Sequence, residues 1–198
     1  MRWKACYAPV LAALFVAAAV PAKSQVAPAA TRSQASLSAG AGVSYFDLDY
    51  GMSNKMIGIS AWIDYRLPLM PRLLQGLGIE AEGRDINYDR PSSLYRMRQD
   101  TIAGGPIYTW THYRRVRPYA KYLFGFGSID FPKIGLYDHD TRVVFAPGVG
   151  VDYRINAHFK ARVDYEYQFW QAIFGPNDLN PQGVTLGVLY TFGRNRSY

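Results

Sequence analysis

Three histidines and a set of ionisable residues at alternate positions are the groups in this chain with chemistry to offer. His112, His139 and His158 lie in scattered contexts, and their spacing assembles no metal site. Asp138-His139-Asp140, within L-Y-D-H-D-T, has the residue types for cation binding or acid–base work. Placed between two strand patterns, it reads as a polar loop tip. The other ionisable residues are more informative. Asp64 and Arg66, then Glu80, Glu82 and Arg84, then Arg162, Asp164 and Glu166 recur two positions apart. Lys121 and Asp152 hold matching places in their own segments. A period of two puts each set on one face of a strand. Both signs are present, and charges withdrawn from water must pair. These residues therefore predict a charge network. No catalytic, cofactor-binding or metal-ligating residue is assigned.

The elements that must position this network read as strands. Period-two alternation covers residues 34–47, 55–67, 76–88, 98–112, 118–129, 142–154, 158–170 and 184–192. No segment carries a helical period. The last strand shows the pattern most plainly. Val184, Leu186, Val188, Tyr190 and Phe192 share one face; Thr185, Gly187, Leu189 and Thr191 share the other. Its length is about that of a membrane-crossing strand. Such an apolar face meets either a protein core or lipid.

Three features choose lipid. The faces opposite carry small residues, among them Ser36, Ser38, Gly40, Gly42, Gly58, Ser60, Gly125, Gly127, Gly148 and Gly150. Glycine weakens a water-facing strand, whereas a narrow lumen needs the room it leaves. The charges on those faces come in both signs. Aromatic residues crowd the apolar faces near strand ends, as Tyr45, Tyr65, Tyr108, Trp110, Tyr153, Tyr165, Phe169, Tyr190 and Phe192 do. Amphipathic rings in that position match the girdles of a bilayer interface. Residues 89–97, 130–141 and 171–182 are long connections rich in Gly, Pro, Asp and Asn, while the turns after the fourth and sixth strands are short. The turn after the second strand is longer. The expected fold is all-β: an eight-stranded antiparallel up-and-down transmembrane β-barrel, whose strand count leaves an interior filled by side chains.

The remaining sequence fits export. Arg2 and Lys4 precede an apolar stretch from Ala5 to Val20, and Ala22-Lys23-Ser24 then supplies small residues at the positions a signal peptidase reads. Residues 1–24 are expected to be a signal peptide for Sec-type export, 25–33 a flexible leader, 34–193 the barrel and 194–198 a short tail. Cys6, the only cysteine, would leave with the signal, so no disulfide or thiolate metal site is expected. Removal of Arg2, Lys4 and Lys23 lowers the formal charge from +7 to +4. The basic residues are scattered, which argues against a nucleic-acid partner. Arg114-Arg115-Val116-Arg117 reads as a short basic turn.

Over residues 34–193 the chain resembles small bacterial outer-membrane β-barrels of the OmpA-like and OmpX-like type. The segments G-G-P-I-Y-T-W (Gly104–Trp110) and G-V-G-V-D-Y-R-I-N-A-H-F (Gly148–Phe159) look like motifs of these domains. Thr185, Gly187, Tyr190 and Phe192 match the family's assembly signal, a polar residue, a glycine and two aromatics. The resemblance implies an integral outer-membrane location. It also implies recognition by the barrel-assembly machinery and periplasmic chaperones, and contact with outer-membrane lipid and lipopolysaccharide. The expected role is a structural or interaction barrel with a plugged polar lumen that displays extracellular loops. The alternative is a small passive channel for ions or small solutes. A lipid A-modifying enzyme of this class needs a Ser-His pair near the outer leaflet. In the expected topology His112 and His158 lie at the periplasmic end, and only His139 at the outer side.

Overall fold

A computed structural model of the chain describes residues 36–49, 55–67, 74–88, 98–112, 115–130, 139–171 and 178–192. They form β1 (Ser36–Asp47), β2 (Lys55–Arg66), β3 (Leu77–Tyr88), β4 (Arg98–Thr109), β5 (Val116–Asp130), β6 (His139–Arg154), β7 (Phe159–Tyr167), β8 (Phe169–Trp170) and β9 (Gln182–Phe192). Consecutive strands from β1 to β7 pair antiparallel, β7 pairs with β9, and β9 returns to β1. Leu37 lies opposite Phe192 and Asp47 opposite Gln182, which closes the sheet on itself. Closure removes the unpaired edges that lipid does not tolerate. Among the described residues no helix is long and apolar enough to cross a membrane.

The two-residue β8 is the continuation of β7 beyond Gln168. It pairs with β6, Phe169 opposite Phe145, while Trp170 bridges Leu179 from the incoming chain. The break falls where the Gln168 amide turns to Pro181 O, at 2.7 Å. The closed barrel therefore has eight strands and one short extension, where a single strand over 158–170 was expected. Other boundaries move too: β9 starts at Gln182 instead of 184, and β6 starts at His139 instead of 142, so His139 and Asp140 are strand residues and not part of a loop tip. β4 stops at Thr109, and β5 starts at Val116. Arg117 is therefore a strand residue and not part of a basic turn.

β5 and β6 are the longest strands and pair as far as Asp130 opposite His139. At the other end of this hairpin pair, the tightest connection joins β6 to β7. There the Asn156 side chain accepts the His158 and Phe159 amides at 2.9 and 2.8 Å. The connections at this end span 67–76, 110–115 and 155–158; those at the opposite end span 48–54, 89–97, 131–138 and 171–181. Leu94, Tyr95, Ile134, Tyr137, Ile173 and Phe174, the loop residues with apolar side chains, lie outside the described residues, as do the expected signal peptide, leader and tail.

Side chains sort by parity. Ile59, Ile63, Ile79, Ile102, Phe124, Phe126, Val163 and Leu186 point outward and are half or more exposed. Their strand neighbours Ser60, Glu80, Glu82, Lys121, Arg162, Asp164 and Thr185 point inward and are buried. An apolar exterior around a polar interior is the reverse of a soluble barrel.

Candidate functional site

The interior is layered along the barrel axis. The deepest polar layer centres on Lys121, projected inward by β5. Its Nζ lies 3.0 Å from Glu80, 2.6 Å from Glu82, 2.9 Å from Asp164 and 3.1 Å from Glu166. Arg84 of β3 spans the lumen to Glu166 at 2.6 Å, pairs with Glu82, and donates from Nε to Ser60 Oγ at 3.0 Å. All seven of these charged or hydroxyl groups sit on strands where alternation turns them inward, so the sheet supplies the layer with no loop involved. Glu82, Asp164 and Glu166 converge closely enough for a metal, but the ammonium of Lys121 already fills their centre.

The next layer, toward the short connections, is organised by Arg162. It reaches Asp152 at 2.8 Å, Asp64 at 2.7 Å and Glu80 at 2.7 Å. Its guanidinium also lies 4.5 Å over the Tyr119 ring, whose hydroxyl donates to Asp164 at 2.6 Å. Glu80 thus joins the two layers. Nine of the ten ionisable residues expected in the lumen meet in this one network. The tenth, Arg66, points inward at the mouth and makes no ion pair among the described residues.

Parity also brings in residues that the sequence reading did not single out. Arg117 and Lys160 face the same mouth, both nearly fully buried. Lys160 precedes Arg162 by two positions, a signal available in the sequence; Arg117 lay outside the expected strand and joins the inward face because β5 starts at Val116. Trp62 packs across the lumen between two glycines. A β-carbon at Gly40 would approach Trp62 Nε1 to 2.6 Å, and one at Gly187 would approach its Cη2 to 2.5 Å. The ring thereby occupies space that any other residue at either position would take.

Above the charged layers the interior changes character. Glu166 accepts from Gln168 at 2.8 Å; Gln168 accepts from Gln99 at 3.0 Å and from Trp170 Nε1 at 2.8 Å. Trp170 then opens an apolar cluster with Phe46, Leu48, Met56, Ile86, Leu123, Ile129, Val144 and Leu179, all buried. A plugged polar lumen was expected, and the polar layers are only part of the filling. The inward positions near the longer loops are apolar instead, and Leu179 reaches the cluster from the connection before β9.

Outside the lumen, His139 Nδ1 is 2.6 Å from Asp130 and its Nε2 is 3.2 Å from Thr141 Oγ1. Both ring nitrogens are engaged by neighbours on the β5–β6 hairpin. Asp140 pairs with Arg142 at 3.0 Å. Asp138 lies outside the described residues. His158 stacks on Tyr190 at 5.7 Å, and Tyr190 packs edge-on against Phe159 at 5.3 Å and Phe192 at 5.0 Å. Tyr190 and Phe192 thus belong to an aromatic belt on the outer wall at the short-turn end, and Thr185 and Gly187 of the same strand face inward.

Residues 10–192 match the family described as "Outer membrane protein beta-barrel domain". The chain belongs to that family, and it is an integral outer-membrane protein with transmembrane β-strands. No curated relative matches by sequence. Among solved structures, Neisserial surface protein A aligns with 81% of this chain and 99% of its own, at 17% identity and a TM-score of 0.57. Ail, the attachment invasion locus protein of Yersinia pestis, aligns over 80% and 97% at 18% identity and 0.54. The N-terminal β-barrel domain of Pseudomonas aeruginosa OprF aligns over 80% and 100% at 15% identity and 0.52. At these identities the likeness concerns the fold.

Proposed function

We propose that this member of the outer-membrane barrel family is a closed scaffold that holds its loops at the outer surface and conducts no solute. The observation that carries this reading is the double filling of the lumen. Lys121 and Arg162 are tied to carboxylates from β2, β3, β6 and β7, and an apolar cluster around Trp170 lies above them. A hydrated ion moving through would have to part buried ion pairs and then cross a dry layer. Eight strands leave no second path. The β5–β6 hairpin, longest of the set, then serves to project the 131–138 connection toward lipopolysaccharide or another surface.

In this reading residues 1–24 direct Sec-type export and are removed. Thr185, Gly187, Tyr190 and Phe192 act as the assembly signal for the barrel-assembly machinery and periplasmic chaperones. The ten charges at Asp64, Arg66, Glu80, Glu82, Arg84, Lys121, Asp152, Arg162, Asp164 and Glu166 act structurally, with no catalytic role. Release of a small entrapped dye from vesicles carrying the refolded protein tests the closed lumen. Retention equal to that of empty vesicles is expected; rapid release, scaling with protein content, contradicts it.

A further inference from the structure

Outside the lumen, charge divides by end of the barrel. Within the lumen Arg66, Arg84, Arg117, Lys121, Lys160 and Arg162 are matched by Asp64, Glu80, Glu82, Asp152, Asp164 and Glu166. Among the described residues every other acid lies toward the longer loops, Asp85, Asp100 and Asp130 among them. The connections 67–76, 110–115 and 155–158 contain Arg72, Arg114 and Arg115 and no Asp or Glu. The short-turn end is therefore basic, and no acid outside the lumen answers it among the described residues.

Two cations at this end stand side by side. Arg154, the last residue of β6, donates its backbone amide to Arg115 O at 2.8 Å, one step beyond the Val116–Tyr153 pair. Arg115 is exposed. Like charges opposite one another on neighbouring strands repel, and an anion shared between them reverses the sign. Arg154 Nε donates to Asn156 O at 3.2 Å, which holds the guanidinium against the 155–158 turn. That turn carries an apolar residue, Ile155, at 58% exposure, and Leu74 on the 67–76 connection is exposed as well. The aromatic belt lies alongside, with Trp110, Tyr153 and Phe159 also exposed. Apolar side chains next to arginines match the boundary between acyl chains and headgroups, where one kind meets hydrocarbon and the other phosphate. A guanidinium takes phosphate oxygens in pairs. A zwitterionic headgroup also presents an ammonium, and this end offers no carboxylate outside the lumen to receive it.

We propose that the short-turn rim docks on anionic phospholipid, Arg115 and Arg154 holding one headgroup phosphate between them while Ile155 and Leu74 enter the acyl region. The surface lies at the end away from the displayed loops, and it does not depend on whether the lumen is closed.

Trp110 reports on this contact, because Trp62 and Trp170 are buried in the lumen. The full chain is refolded into phosphatidylcholine vesicles in which a fixed fraction of the lipid is brominated phosphatidylglycerol or brominated phosphatidylcholine. Bromine quenches tryptophan on contact, and the quenching lost in Trp110→Phe is the signal. Phosphatidylglycerol is expected to be enriched beside Trp110 by about fivefold or more, since one arginine near an anionic surface contributes a factor of that size. The excess should shrink at high salt. Arg115→Gln combined with Arg154→Gln should abolish it while migrating as folded on a heat-modifiability gel. Equal quenching by the two lipids in the wild type overturns the assignment. So does an excess that survives in the double variant or stays unchanged at high salt.

Discussion

Lys121 is the residue on which the interior depends most, because one ammonium answers four carboxylates from β3 and β7. Replacing it by Met keeps the length of the side chain and removes the charge. Buried pairs broken on one side cost about 3–5 kcal/mol, since the partner charge stays behind in a dry place. Lys121→Met is therefore expected to lower the unfolding free energy of the refolded barrel by an amount in that range, read as a lower urea midpoint, whereas Lys55→Met, exposed at the loop end, should leave it unchanged. Equal midpoints for wild type and Lys121→Met would remove the network from the account. Alternation made this layer legible in the sequence, because parity alone turns Glu80, Glu82, Arg162, Asp164 and Glu166 the same way. It did not reveal which cation would meet which acid. Glu80 bridges two layers through the relative height of β3, β5 and β7, and height depends on cross-strand register, which a single strand's pattern does not contain. Arg117 was hidden for another reason: next to Arg114 and Arg115 it looked like turn residue, and only the early start of β5 turns it inward.

At the scale of the strand, β9 carries two messages on opposite faces. Its inner face pairs Gly187 with Gly42 and leaves the gap that Trp62 fills. Gly40→Val, on the neighbouring β1, is expected to cost about 1–3 kcal/mol by displacing that ring, read as a lower unfolding midpoint with altered tryptophan emission. The outer face of β9 meets lipid. Leu186 is 58% exposed near the middle of the strand, and Leu186→Arg should destabilise the barrel in bilayers by about 2–4 kcal/mol. If Phe192 belongs to an assembly address, Phe192→Ser should reduce the amount inserted in cells and leave refolding in detergent intact; loss of both would make its role purely one of packing. The strand ranges and lipid-facing sides were readable from alternation and aromatic placement. The division of the seventh strand was not. Glu166, Gln168 and Trp170 all face inward across the break, so the side-chain rhythm passes undisturbed while the backbone changes partners from β9 to Leu179.

At the scale of the whole barrel, the described residues give the interior two kinds of filling. The charged half opens toward the short connections, and the apolar half sits beneath the longer loops. The sequence reading anticipated a polar lumen from the small and charged members of the inward faces and placed no apolar cluster in it. Phe46, Met56, Ile86, Leu123, Val144 and Trp170 also face inward, but they become one cluster only when the strands are set side by side. In the proposed function the cluster is what favours scaffold over channel, since a charged lumen alone leaves room for a hydrated path. Single-channel recording of the refolded protein in a planar bilayer tests this most directly. The account predicts a flat baseline in concentrated potassium chloride at either polarity. Reproducible, uniform conductance steps from the wild-type protein would contradict it.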